Sequence, residues 1–495
     1  MSAGRATAPR ARWVAPVSVV CGLVVLGGGL LMLGSFADSH RSRSGPVGAE
    51  HPDASSPDSA PVRAETAAER GYRWLTTKPY IPPTLDRATF DQLYVEWAPA
   101  ERAEAEHASP DERRRLLFAH YGFTPLPSDP SKPLQYVEDS AGRWSISCLA
   151  CHGGALDGRP IPGLPNANFA FQSLADDIVA TRARTGTKPP AGGMLPFRIP
   201  LGETVGTTNA VVFSVALLTF RDKDLNLVFP KKPPHFVHHD LDAPPWWNVR
   251  KRARLYIDGF AAKSHRALMQ FLMIPTNGPD RVKGWEPDFG DVLAYIESLE
   301  APRWRDVLPR APIDDGLATR GRPIFERVCA SCHGTYGEKP TYPGVDVPIE
   351  EIATDRVRHE ATTADERARY GASWFTNYEP SRVHVAPKGY VAPPLDGVFA
   401  SAPYFHNGAV PTLWHVLHPD ARPVAWRRTP GAPYDVLKAG FAVETRDAVP
   451  AGLDGDARRR WFDTRLPGKS ADGHRFPDAL SEDEKRAVLE YLKTL

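Results

Sequence analysis

The sequence predicts a mainly α-helical protein of two similar domains with long, loop-rich inserts, preceded by an N-terminal signal or anchor helix. A Cys-x-x-Cys-His motif occurs twice, starting at Cys148 and at Cys329. A segment whose apolar residues recur at helical spacing follows each motif after a long interval in the sequence. The chain also begins with arginines followed by a long uncharged run, which is the order of an export signal. These three observations are justified below in chain order.

The N-terminal uncharged run extends from Val14 to Phe36. At 1.5 Å per residue this run can span a bilayer, which favours a retained anchor over an ordinary signal core. We therefore predict a signal anchor or signal peptide over residues 1–37 and a membrane-anchored protein in the periplasm or at the cell surface. Cleavage after Ala37 is the alternative, and it would give a secreted protein. Residues 38–69 lack large apolar side chains and are predicted to form a disordered tether.

The composition restricts the class of protein. Sixty Lys and Arg residues balance 59 Asp and Glu residues, and no dense basic run is interleaved with aromatic residues, so we expect no nucleic-acid partner. The 50 prolines and 39 glycines among 42% apolar residues indicate ordered domains joined by stiff, irregular loops. With 495 residues, more than one domain is expected.

The two predicted domains share one plan. The first covers residues 70–304, with a helix at "SPDERRRLLFAHYG" (109–122) before its motif and a closing helix at "PDFGDVLAYIESLEAPRW" (287–304). The second covers residues 311–495, and its closing helix, "LSEDEKRAVLEYLKTL", has capping-box residues at its start. Each insert is too long for a bare electron carrier, which indicates an additional activity.

The two motifs use four of the five cysteines. A Cys-x-x-Cys pair can be half of a zinc site, a redox disulfide or a structural bridge. The histidine that follows at once, in an exported chain, favours covalent haem c instead. We predict two haem c groups, with thioether bonds to Cys148, Cys151, Cys329 and Cys332 and with His152 and His333 as iron ligands.

The sixth ligand of the second haem is not expected to be methionine, because no methionine follows Cys332. The sequence offers six later histidines: His359, His384, His406, His415, His418 and His474. We favour His474, which forms a Gly-His pair just before the closing helix. For each of the six, the alternative is a histidine at the surface or one that only supports an iron ligand.

Three further segments carry a family resemblance. "PPLDGVFASAPYFHNGAVPTL" (393–413) resembles the signature of di-haem cytochrome c peroxidases. "PPWWNVRKRARLYIDGF" (244–260) and "SHRALMQFLM" (264–273) are similar to the rubber-oxygenase-like branch of that superfamily. The resemblance implies two cytochrome c-like domains, with a reactive first haem and a second haem that feeds or tunes it.

The resemblance also shows where this chain departs from the peroxidases. Ile257 replaces the tryptophan that would lie between the haems, while Ala267 and Asn277 replace the distal glutamine and glutamate; Gln270 and Asp280 are the alternatives if the register is shifted. Losing the carboxylate removes the base that peroxide cleavage needs. This favours oxygenase-like chemistry on an apolar substrate.

The resemblance implies particular site residues. Phe271 is the candidate for the phenylalanine over the first haem, with Leu272 beside it and His265 within reach of a propionate or bound oxygen. Met269 or Met273 could instead close the first iron. The family often holds calcium between the haems, which here implies Asn209, Ser401 and Pro403 as ligands.

These predictions together describe an oxidoreductase that uses dioxygen or peroxide and an apolar substrate. A redox partner protein or a small electron donor would supply its electrons. The alternatives are a cytochrome c peroxidase and a plain electron carrier in which both irons have six ligands.

Overall fold

The computed structural model describes residues 63–188, 202–230, 237–377 and 383–495. Residues 63–495 group into one unit. The predicted signal anchor and nearly all of the predicted tether lie outside the described residues. Within the described ranges, no helix is long and apolar enough to cross a membrane.

The described residues form a mixed fold, with 43% of them in helix and 13% in strand, so the expectation of a mainly helical chain is met only in part. The helices of eight or more residues are α1 (Ala67–Thr77), α2 (Pro99–His107), α3 (Pro110–Tyr121), α4 (Phe171–Thr185), α5 (Ala210–Leu218), α6 (Glu286–Ser298), α7 (Asp315–Val328), α8 (Ala364–Gly371) and α9 (Glu482–Leu492).

Local sequence explains where these helices begin. Capping boxes join Thr66 to Glu69 before α1 and Ser481 to Glu484 before α9, so backbone N–H groups that have no partner within the helix are satisfied by side chains. The predicted helix at 109–122 is confirmed as α3, which starts at the capping box of Ser109. The predicted helix over 287–304 corresponds to α6, whose buried face includes Val292, Tyr295 and Ile296.

The two halves of the chain repeat one helix crossing. α1 packs on α6 in the first half, and α7 packs on α9 in the second. Each crossing is centred on a glycine: a Cβ at Gly71 would lie 2.1 Å from the Asp291 carbonyl oxygen, and one at Gly321 would lie 2.0 Å from that of Ala487. Only glycine permits helices to approach so closely.

The strands are short and antiparallel. Arg143–Ile146 pairs with Leu85–Asp86 on one side and with Tyr136–Glu138 on the other. In the second half, Ala425–Arg428 lies between Val443–Arg446 and Phe462–Asp463. The remaining pairs are Pro125–Leu126 with Asp129–Pro133, Ala155–Leu156 with Arg159–Pro160, Arg254–Leu255 with Ala261–Ala262, and Asp346–Pro348 with Gly389–Val391.

Three apolar clusters form the core. One contains Phe90, Phe118 and Trp144, and a second contains Phe260, Met269 and Phe289. The third joins residues from both halves, among them Leu156, Trp247, Phe325 and Tyr491. This shared cluster places the two Cys-x-x-Cys-His motifs around common interior space.

Candidate functional site

Both Cys-x-x-Cys-His motifs open into one cavity of about 770 Å³. All four cysteines and both motif histidines contribute to its wall. Most of the remaining lining is apolar and comes from both halves of the chain. The cavity-lining histidines among the described residues are His152, His333, His406 and His474.

Each motif forms a single helical turn. Leu149–His152 follows a strand, whereas Ala330–His333 continues from α7. The backbone N–H of His152 donates to the Cys148 carbonyl at 3.2 Å, and that of His333 donates to the Cys329 carbonyl at 3.0 Å. Because residues one turn apart lie on the same helix face, the first cysteine and the histidine of each motif point the same way.

None of the four motif cysteines forms a disulfide. Burial raises the pKa of Cys148 to about 11 and the pKa of both Cys151 and Cys329 to about 12. In the parts of the chain that the structure describes, no three His, Cys, Asp or Glu side chains group as a metal site would require. Two thiols two residues apart and an imidazole directly after them are the donor set for thioether attachment of a haem with an adjacent imidazole ligand.

A proline carbonyl faces each motif imidazole. His333 Nδ1 lies 2.8 Å from the Pro393 carbonyl oxygen, and since a carbonyl only accepts, Nδ1 carries the proton and Nε2 keeps its lone pair. At His152, burial lowers the pKa to about 3 and the Pro244 carbonyl opposes the shift, although Nδ1 does not reach hydrogen-bond geometry. His152 instead stacks on Trp246, with ring centroids 4.5 Å apart at 22°.

His474 lies opposite His333. Their ring centroids are 6.2 Å apart, at an interplanar angle of 61°. His474 has left-handed backbone, with φ of 45°, and its N–H donates to the Ile352 carbonyl at 2.7 Å. Burial lowers its pKa to about 3, so the imidazole is neutral and can bind a metal.

The first half of the cavity has an apolar wall at the segment predicted to cover the first haem. Leu268, Phe271 and Leu272 line it. Met269 and Met273 are instead buried in the core and do not reach the cavity lining. His265 also lies outside the lining, because its Nε2 is held 2.9 Å from Glu286 Oε1 on the other side of the helix start.

The positions that depart from the peroxidases have structural roles here. Ala267 is fully buried. Asn277 Nδ2 donates to the carbonyls of Tyr80 and Leu272 at 3.0 Å each, and Gln270 Nε2 donates to the Tyr256 hydroxyl. None of Ala267, Gln270 and Asn277 lines the cavity.

Ile257 lines the cavity, and Asp258 beside it anchors the segment. Burial alone would raise the pKa of Asp258, but Arg358 and Arg367 lower it below its ordinary value. Arg367 Nη2 lies 2.9 Å from Asp258 Oδ2, and all three side chains are buried. The aspartate therefore fixes the backbone that carries Ile257.

The residues predicted to bind calcium all line the cavity. Asn209 is 1% exposed, yet neither Oδ1 nor Nδ2 has a hydrogen-bond partner in the described structure. Ser401 Oγ is also without one. Buried polar atoms of this kind require a partner, and the side-chain oxygens of Asn209 and Ser401 are of the type that binds calcium.

Three further cavity residues, Asp242, Arg252 and Tyr256, were missed by sequence reasoning, and His406, predicted only as one of six available histidines, also lines the cavity. Burial raises the pKa of Asp242 well above its ordinary value and lowers that of His406 to about 3. Arg252 donates to the Tyr256 carbonyl at 2.7 Å. Only His406 had a sequence signal, since it ends the Ala-Pro-Tyr-Phe-His segment.

The comparisons with known proteins agree with this geometry. Residues 389–427 match a family described as RoxA-like, cytochrome c-like. The chain is 26% identical over 310 residues to the uncharacterized protein y4iM of Sinorhizobium fredii (strain NBRC 101917 / NGR234), which covers 54% of this chain and 67% of that protein. It is 30% identical over 260 residues to the uncharacterized protein y4iJ of the same strain, covering 40% of this chain and 41% of the relative. Residues 389–427 are therefore similar to a RoxA-like, cytochrome c-like domain, and a cytochrome c-like domain implies covalently bound haem c.

Proposed function

We propose that the protein is an exported di-haem c-type cytochrome that acts as an oxidoreductase. The observation that carries the proposal is the difference between the two ends of one cavity. At the second motif, His474 lies opposite His333 with ring centroids 6.2 Å apart. In the first half, the wall at Leu268, Phe271 and Leu272 is apolar.

The geometry at the second motif supports a haem iron with two histidine ligands. Two imidazoles bound to one metal through nitrogens at about 2 Å have ring centres roughly 6 Å apart. The separation of His333 and His474 agrees with this value. The Pro393 carbonyl fixes the tautomer of His333, which leaves Nε2 free as the ligand atom. Such a haem passes electrons but does not bind substrate.

The lining of the first half of the cavity supports a haem iron with a free coordination position. A haem with a free coordination position supplies activation of dioxygen or peroxide. Phe271 and Leu272 would exclude water from that position and favour an apolar co-substrate. Asn277 and Ala267, which replace the peroxidase residues, point to backbone or core instead of the cavity. This arrangement favours oxygenase-like chemistry over peroxidase chemistry.

A cation between the two halves is part of the proposal. Asn209, Ser401 and Pro403 would hold calcium through oxygen atoms. A redox protein or small electron donor would deliver electrons to the second haem. Export, with the N-terminal segment as an anchor, gives the cysteines the environment in which haem c is attached.

A carrier with two six-coordinate irons is the second candidate, and His406 is the observation that favours it. This histidine lines the cavity, and its Nε2 has no hydrogen-bond partner among the described residues. If His406 bound the first iron, the open site would be lost.

Haem content and electron paramagnetic resonance of the exported holoprotein test the proposal. Two covalent haems per chain are expected, one with the low-spin signal of bis-histidine ligation and one with a high-spin signal. Two low-spin signals in both the native protein and His406→Ala would contradict the open site, and a low-spin signal lost on that substitution would establish the carrier.

A further inference from the structure

The two halves of the cavity contain the same tripeptide behind their motif histidines. Ala243-Pro244-Pro245 lies in the first half and Ala392-Pro393-Pro394 in the second. In each, the carbonyl of the first proline faces the motif imidazole. Each tripeptide is therefore the part of the backbone that supports a proposed iron ligand from the side away from the iron.

The residue after each tripeptide differs. In the first half it is Trp246, which is 6% exposed and stacks on His152 with ring centroids 4.5 Å apart. In the second half it is Leu395. The indole gives the first imidazole direct contact with the segment 246–248.

Hydrogen bonds join the two segments. Asn248 Nδ2 donates to the Pro394 carbonyl at 2.9 Å, and Trp247 Nε1 donates to the Asp396 carbonyl at 2.7 Å. Lys251 Nζ lies 2.7 Å from both carboxylate oxygens of Asp396. Asn248 is 5% exposed and Trp247 1%, so these contacts are shielded from water.

A continuous path therefore links the two motif histidines. From His152 it follows the stacked ring of Trp246 and the backbone to Asn248. It then crosses one hydrogen bond to Pro394 and continues through the Pro393 carbonyl to His333. The position of the peroxidase tryptophan holds the aliphatic Ile257, which lines the cavity and cannot serve as an aromatic bridge. Its carbonyl accepts from the Val391 N–H at 2.7 Å, next to the second tripeptide.

We propose that electrons pass between the two haems along this path, with the Asn248–Pro394 hydrogen bond as its crossing point. The inference rests on the proposed di-haem function. With haem attached at both motifs, the iron that His333 would hold would give up one electron, and the iron that His152 would hold would accept it. No proton or covalent bond is exchanged, and the external electron donor then reduces the second iron again.

Pulse radiolysis of the fully oxidised holoprotein tests this path, because it adds one electron and follows its equilibration between the haems. Asn248→Ala should slow that equilibration, because it removes the hydrogen bond at which the path crosses to Pro394. The absorption spectrum and haem content should stay unchanged.

Asn407→Ala is the matched control. Asn407 is fully buried and also donates to two carbonyls, those of Gly468 and Ser470, but it lies off the path. Its equilibration rate should remain that of the native protein. Trp247→Phe, which removes the parallel hydrogen bond, should slow the rate less than Asn248→Ala.

The results of these measurements distinguish a failure of the proposed electron path from a failure of the proposed di-haem function. An unchanged rate in Asn248→Ala with two intact haems would overturn the path alone, and a rate that instead falls in Ile257→Ala would assign transfer to the cavity side. One haem per chain in the native protein would overturn both proposals. If Asn248→Ala fails to fold, Asn248→Gln, which keeps the donor, and Trp247→Phe provide the same comparison.

Discussion

At the scale of single residues, His474 shows how the fold imposes a ligand position. Its left-handed backbone is unusual for a residue with a side chain. Arg422 holds the preceding turn by donating to the carbonyls of Ala471 and Gly473 at 2.7 Å each. Since such a conformation persists only where its surroundings enforce it, the network keeps the imidazole directed at His333.

His474→Gly should remove the sixth ligand of the second haem. We expect the low-spin signal of that haem to be replaced by a high-spin signal, and added imidazole to restore it. The measurement is electron paramagnetic resonance of the oxidised protein. In the control His418→Ala, the changed side chain is held by Trp414 and Glu482 outside the cavity, and the signal should not change. A low-spin second haem in His474→Gly would refute the assignment.

Replacing both cysteines of one motif should remove one haem. Cys148→Ala with Cys151→Ala should halve the covalent haem content, because no thiol remains there to form a thioether. Mass spectrometry of the intact chain measures the loss. The matched pair at Cys329 and Cys332 should lose the other haem and, with it, the low-spin signal. A full haem content in either double variant would contradict covalent attachment at that motif.

The sequence favours His474 among six histidines, because no methionine follows the second motif and a Gly-His pair precedes the last helix, and the structure places its ring centroid 6.2 Å from that of His333. It could not identify Asn248 or Asp242. Their roles depend on contacts between residues far apart in the chain, such as Asn248 with Pro394. Nor could it show that His265 is held by Glu286 and Met269 is buried.

At the scale of secondary-structure elements, the paired helix crossings define the two halves. α1 meets α6 at Gly71, and α7 meets α9 at Gly321. In both crossings the partner helix also contributes a tyrosine, Tyr295 or Tyr491, next to the glycine. The crossing behind the second motif directly supports the helical turn that carries Cys332 and His333.

Gly321→Val should destabilise the second crossing. The added Cβ would lie 2.0 Å from the Ala487 carbonyl oxygen, so the helices must separate, at a cost of about 1–3 kcal/mol or more. Chemical denaturation of the holoprotein measures the free energy of unfolding.

Gly316→Ala is the control for this prediction, since it lies at the start of the same helix and its Cβ would meet only Asp314 Oδ1, at 3.3 Å, and the end of the Arg320 side chain. We expect it to be neutral or slightly stabilising. Equal effects of the two substitutions would contradict the close crossing.

Helices with capping residues could be predicted from sequence, as α3 and α9 show, and α6 could be predicted from the helical spacing of its apolar residues. The helix that packs on α6 could not be predicted, because amphipathic spacing does not identify the partner of a helix. This partner is α1, whereas α3 lies in a different core cluster. The two-residue and four-residue strands were also missed, since they are too short for a pattern of alternating polarity.

At the scale of the whole molecule, neutral histidines are buried throughout the interior. Burial lowers the pKa of His239 and of His415 to about 4, and neither is a proposed iron ligand. Thr412 Oγ1 lies 2.7 Å from His415 Nδ1. Folding therefore requires these imidazoles to stay unprotonated at a pH where they would bind protons in the unfolded chain.

The free energy of unfolding should therefore fall as the pH is lowered from about 6.5 to about 4. In this window the unfolded state binds more protons than the folded state, so acid favours unfolding. Denaturation of the holoprotein across this range measures the effect. His415→Gln should make the dependence shallower, whereas His107→Gln, at an exposed helix end, should leave it unchanged. A pH-independent stability would contradict the buried neutral histidines.

Carbon monoxide binding to the reduced protein tests the central claim most directly, because only an iron with a free coordination position binds it. The proposed function predicts that one of two haems binds carbon monoxide and that the other, held by His333 and His474, does not. If neither haem binds carbon monoxide, both irons are six-coordinate and the protein is an electron carrier. If both bind it, His474 is not an iron ligand.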